Sequence, residues 1–163
     1  MNAGTVGNTM RAILLPAAIL AAANLTALVT VATPAAAGNA TIGGMKLNCH
    51  AAQVVVSNAV PGPGFAVPGL IMFGPRFLHA YPPIVQRLVF LHECGHQYVG
   101  TDENAADCWA VQAGKRQGWL TPAGLAQACK ALWHTQSDGV HLAGPERCVA
   151  LQQCYATAPG KGG

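Results

Sequence analysis

His92-Glu93-Cys94-Gly95-His96 is the segment of this chain whose residue types and spacing are most specific for chemistry. On a helix, histidines at i and i+4 lie one turn apart on one face, so both imidazoles can converge on one ion. Zinc suits imidazole and carboxylate ligands, and a catalytic zinc takes three protein ligands and leaves one position for water. Glu93 directly follows His92 and can reach that water as a general base. A helix-borne histidine pair can also be a hydrogen-bonded feature of a core. Here the context favours the metal, because Leu88, Phe90 and Leu91 precede the motif and a helix stop, Gly100, follows it. Gly95, without a side chain, leaves room for another backbone to approach closely.

A third ligand has to come from elsewhere. Gly100 allows the chain to double back and bring Asp102-Glu103-Asn104-Ala105-Ala106-Asp107 towards the histidines. Glu103 and Asp107 fall one helical turn apart, so one can bind metal while the other supports a histidine's second ring nitrogen. Glu103 ranks first as ligand, with Asp107 behind it. Asp102, six residues after His96, is the alternative. Acids here can also serve only the positive end of the next helix. His141 lies in a Gly/Pro-flanked loop, a setting that by itself fits an idle surface histidine as well as a functional one. Tyr98 reads as packing. Trp109, Trp119 and Trp133 are core or groove candidates, and His79 and His134 have no identifiable partner.

Taken together, His92–His96 and Glu103-x-x-Ala106-Asp107 resemble the gluzincin family that includes the CAAX prenyl endopeptidases and the bacterial heat-shock protease HtpX. In that family an H-E-x-x-H helix is followed by a helix carrying E-x-x-A-D, and farther on by a histidine with an arginine six residues later. His141 and Arg147 have that spacing. The resemblance spans about residues 83–155. It implies a zincin-like metallopeptidase core with Glu103 as third ligand and His141 stabilising the oxyanion. Arg147 would order or charge-balance the site. Leu142 stands where the family has proline, the His96–Glu103 gap is short for the family, and the membrane helices of its typical members are missing here.

The elements that must carry these residues are legible in outline. A helix is expected from about Pro83 to Tyr98 or Val99, stopped by Gly100, and a second from Thr101 or Asp102 to about Gln117, stopped by Gly118. Thr121-Pro122 opens a third, to about Trp133, and Pro145 a fourth, to near Tyr155. Val54-Val55-Val56 marks a strand within 52–57, and 65–73 a second, broken near Pro68-Gly69. These two are expected to pair as a hairpin, with Leu70–Phe73 edging a groove where an extended peptide can add as a further strand. Residues 38–50 read as a loose lead-in. The fold class is mainly α with a small β element (α+β), a zincin-like core stapled by disulfides.

The first 37 residues read as a secretory signal peptide: Arg11, an apolar run from Ala12 to Val29 interrupted by Pro16, then Ala35-Ala36-Ala37 before Gly38. The single domain is expected over 38–157, with a Pro/Gly-rich disordered tail over 158–163. All six cysteines (Cys49, Cys94, Cys108, Cys129, Cys148, Cys154) follow the leader, which predicts three disulfides in a periplasmic or secreted protein. No Cys-x-x-Cys pair supports a cysteine zinc site. A disulfide from Cys94 to the following helix would lock the two ligand-bearing helices together. A net charge of +3 without basic clusters argues against nucleic acid and anionic membranes as partners, and nothing suggests a membrane association after signal cleavage. The expected function is peptide-bond hydrolysis with one Zn2+ per chain, on a peptide or protein substrate. The alternative is a non-catalytic, zinc-binding, disulfide-rich interaction module, which would have no use for Glu93 as a base.

Overall fold

The computed structural model describes residues 39–60 and 62–160, so the expected signal peptide and the last tail residues lie outside the described residues. The order is β1 (Asn39–Ile42), β2 (Met45–Asn48), β3 (Gln53–Val56), β4 (Gly64–Val67), β5 (Leu70–Phe73), α1 (Phe77–Ala80), α2 (Pro83–Val99), α3 (Glu103–Arg116), α4 (Pro122–Leu132) and α5 (Gly144–Thr157). This is an α+β arrangement in which the helices follow a small β region.

The four long helices match the expected spans because their ends carry strong local signals. Pro83 opens α2 and Gly100, at φ +73°, ends it. Asp102 caps α3 by accepting the Ala105 amide at 2.9 Å, and Thr121 caps α4 by accepting the Gly124 amide at 3.1 Å. Along α2, Val85, Leu88 and Leu91 with Phe90 are buried in the core, where Ile71, Phe73, Val111, Leu120 and Leu151 join them. Gly95 does what its lack of a side chain allows: a Cβ there would lie 3.1 Å from the Ala106 carbonyl oxygen of α3. This close crossing sets α2 and α3 side by side. The fold also remains packed at Ala158, the first residue of the expected tail, which is buried and accepts a hydrogen bond from Lys115 Nζ at 2.7 Å.

The β region departs from expectation in three ways. Residues 39–48 form an antiparallel hairpin rather than a loose lead-in, turning at Gly43-Gly44 and burying Ile42 and Leu47. Its tip is anchored on α2, with the Gly43 amide donating to Gln86 Oε1 at 3.0 Å and Arg87 Nε donating to the Gly43 carbonyl at 3.0 Å. The segment 65–73 is two strands, β4 and β5, reversed by Pro68-Gly69 with Gly69 at φ +77°. β3 does not form a hairpin with them; it lies parallel to β5, giving the order β3-β5-β4. A two-residue Pro-Gly link satisfies the reversal locally, which leaves β3 to join from the other side. β5 is therefore the central strand, with Ile71 and Phe73 buried, and β4 is the open edge that the sequence reading had placed at Leu70–Phe73.

Two disulfides are present where three were expected. Cys49–Cys94 ties the end of the β1–β2 hairpin to α2, and Cys108–Cys154 ties α3 to α5. Cys94 does not reach the following helix, because the face of α2 towards α3 is taken by Gly95. Cys129 and Cys148 are buried thiols. Burial first, and a thiol–thiol hydrogen bond from Cys148 second, push Cys129 up to about 12. Among the described residues no helix is long and apolar enough to cross a membrane.

Candidate metal centre

The side chains singled out by spacing converge. His92 and His96 project from one face of α2, and their Nε2 atoms face each other at 3.1 Å. Glu103, in the first turn of α3, places Oε2 2.9 Å from His92 Nε2 and 3.3 Å from His96 Nε2. In a tetrahedral zinc site with bonds near 2.0–2.1 Å, neighbouring ligand atoms stand about 3.3 Å apart. The three side chains stand at that spacing or slightly inside it, 2.9–3.3 Å apart.

The chemistry of the donor set fits a cation better than it fits itself. His92 Nδ1 lies 2.7 Å from Asp107 Oδ1 and His96 Nδ1 lies 2.7 Å from the Gly100 carbonyl oxygen. Both partners only accept, so both Nδ1 atoms donate, and the neutral rings turn their Nε2 lone pairs towards one another. Glu103 Oε2 is buried between them without a hydrogen bond of acceptable geometry. Lone pairs at this range repel unless a proton or metal is shared among them. Without a metal, a proton takes that place: burial alone would lower the His92 pKa, but Asp107 and Glu103 outweigh it and raise it to about 9. His92 beside it holds the Glu103 carboxyl below its usual value.

Asp102, the alternative ligand, is not in this cluster; its carboxylate is engaged as the α3 cap. Asp107 lies behind His92, as expected of the second acid. Arg147 on α5 grips it from the far side, Nε donating to Oδ2 and Nη2 to Oδ1, each at 2.6 Å. A cationic fork thus holds the carboxylate that holds the ligand histidine. Burial would raise the Asp107 pKa, but His92 and Arg147 reverse this and lower it to about 2.

Glu93 is 8 % exposed and lines the same cleft as the three ligands, a cavity of about 360 Å³ bounded opposite by β4. Burial raises its pKa, while His92 and His96 pull it down. Its carboxylate lies against Gly64: a Cβ there would fall 2.8 Å from Glu93 Oε1. His141 reaches the cleft from the α4–α5 loop, with Nε2 2.9 Å from Glu103 Oε2. Tyr98 stacks on Trp109 with ring centroids 5.1 Å apart, as packing rather than chemistry. Trp109 and Trp119 are partly buried against the core, Trp133 is exposed, and His79 and His134 are not drawn into the cleft.

Three residues of the site went unremarked in the sequence. Gly64 lies against the Glu93 carboxylate. Gln97 clamps the β4–β5 turn to α2, its Oε1 accepting the Gly69 amide at 2.8 Å and its Nε2 donating to the Val67 carbonyl at 3.0 Å. Asp138 holds His141 Nδ1 at 2.8 Å. Gly64 and Gln97 matter only once distant segments meet, whereas Asp138 acts within its own loop, three residues before His141. Compared with known proteins, the chain matches no family model, no curated protein and no solved structure.

Proposed function

We propose that this chain is an exported zinc metallopeptidase with a zincin-like, gluzincin-type core. The observation that carries this reading is the set of three convergent donors, His92, His96 and Glu103, whose facing atoms lie 2.9–3.3 Å apart, with Glu93 beside them. Two disulfides support export, since such bonds persist in oxidising compartments.

Zinc, when bound, supplies Lewis acidity at the scissile carbonyl and eases deprotonation of a nearby water. Glu93 accepts that proton and passes it to the leaving amine, a role suited to a carboxyl whose pKa burial has raised. His141, as an imidazolium with Nδ1–H on Asp138, donates from Nε2–H to the developing oxyanion. β4 aligns the substrate. The Ser57 amide donates to the Phe73 carbonyl at 2.9 Å and the Gly74 amide to the Pro63 carbonyl at 3.4 Å. Alternate β5 residues therefore serve β3 and β4, and the amides and carbonyls of Gly64 and Ala66 turn outward along the cleft edge. An extended peptide can pair with them.

Glu93→Gln tests the reading against a purely structural metal site. Zinc content and the circular dichroism spectrum should stay as in wild type, while cleavage of dye-quenched casein falls about 10²–10⁴-fold. Full activity in Glu93→Gln would overturn the mechanism.

A further inference from the structure

The loop between α4 and α5 is bonded to itself in a way that an idle surface turn does not require. Asp138 Oδ1 accepts the amides of Val140 at 3.1 Å and His141 at 2.7 Å, which is enough to make the turn. Its second oxygen, Oδ2, is 2.8 Å from His141 Nδ1. Ser137 Oγ donates to the His141 carbonyl at 2.8 Å, Gly139 turns the chain at φ +92°, and the Gly144 amide closes the loop on the Thr135 carbonyl at 3.0 Å. Backbone and ring of His141 are thus held by one carboxylate. The opposite ring nitrogen, Nε2, is presented at the cleft beside Glu103.

We propose that Asp138 is a positioning residue: by accepting from His141 Nδ1 it fixes the imidazolium, which carries a proton on each ring nitrogen, with Nε2–H aimed at the place where the substrate's oxyanion forms. The proposal rests on the hydrolase reading of the site. One carboxylate holding both the backbone amide and ring Nδ1 of His141 removes the rotamer freedom that a surface histidine otherwise keeps, so the donor is oriented before substrate arrives. Asp138 lies outside the core, with a side chain 58 % exposed, so its removal alters orientation rather than folding.

The test uses the zinc-loaded full chain with Asp138→Ala, Asp138→Asn, His141→Ala and the Asp138→Ala/His141→Ala double variant. In protein carrying 15N-histidine, the wild type should show a slowly exchanging Nδ1 proton on His141, and Asp138→Ala should lose it. On dye-quenched casein, Asp138→Ala should lower kcat about ten- to hundredfold at unchanged KM and zinc content. Asp138→Asn, whose amide oxygen still accepts, should recover part of that loss, and the double variant should fall no lower than His141→Ala. An unchanged Nδ1 signal in Asp138→Ala, or losses that multiply in the double variant, would overturn the proposal. If the wild type cleaves nothing, the hydrolase reading falls, and the Nδ1 signal by itself decides whether Asp138 holds His141.

Discussion

Replacing Asp107 with Asn removes the charge that joins α5 to the ligand helix and leaves the geometry otherwise nearly intact. Asp107 has its pKa lowered from 3.8 to about 2, so it stabilises the fold above pH 3.8 and loses that contribution as pH falls through about 2. The shift corresponds to about 2–3 kcal/mol. Breaking a buried ion pair by deleting one partner costs about 3–5 kcal/mol, and Arg147, with 18 % of its side chain exposed, draws the value to the lower end. We therefore expect Asp107→Asn to lose about 3 kcal/mol in urea unfolding of chelator-treated protein at pH 7, or about 10 °C in Tm. The gap between wild type and variant should narrow between about pH 4 and pH 2, as the wild-type carboxylate takes up its proton. Because the same carboxylate orients His92, zinc affinity measured by competition with a chromophoric chelator should fall about 10–100-fold. A variant within about 0.5 kcal/mol of wild type and with unaltered zinc affinity would refute the claim that Asp107 links Arg147 to the metal ligand.

The other predictions address the base, the proton and the cysteines. Gly64→Ala puts a methyl group 2.8 Å from Glu93 Oε1 and 3.0 Å from the Phe73 ring, so kcat should drop at least about tenfold with zinc retained. Unchanged kcat would show that Glu93 does not depend on that contact. His92, with its pKa raised to about 9, stays protonated below that pH in the metal-free protein, so zinc must displace its proton. Zinc affinity should then rise with pH, by up to about tenfold per unit, and level off near pH 9; a flat profile from pH 6.5 to 9 contradicts this. The same raised value stabilises the metal-free fold fully below pH 6.5 and is lost as pH rises through about 9. Cys129 and Cys148 should resist iodoacetamide at pH 8 in the native state and titrate as two thiols only after unfolding. A count of zero in denaturant would mean that they form a third disulfide.

The helical half and the pairing of His92 with His96 were legible because their signals are local. Pro83, Gly100, Asp102, Gly118 and Thr121 punctuate helices wherever they occur, and His92 with His96 declares a shared helix face at any position in a fold. The choice between Asp102 and Glu103 was not local. In the fold α3 starts at Glu103, which puts Asp102 at the cap and Glu103 beside the two histidines. The β region was the harder half, because strands of four residues carry too little alternation to show their partners and a parallel β3–β5 pairing has no turn to announce it. Disulfide connectivity was closed to sequence for a similar reason, as Cys94 found Cys49 through the docking of the hairpin on α2. Gly64 and Gln97 take their meaning from contacts between α2 and the β4–β5 region that spacing does not encode, while Asp138, three residues before His141, makes a local contact that went unread.

A metal shared by His92, His96 and Glu103 is the centre of the proposed site. Metal analysis of the oxidised protein, purified without chelator and dialysed against metal-free buffer, tests this directly. The account predicts one zinc per chain in wild type and in Asp102→Ala, and none in His92→Ala or Glu103→Ala with the helical spectrum retained. A folded, disulfide-bonded wild type that holds no zinc, or a His92→Ala variant that keeps it, would contradict the account.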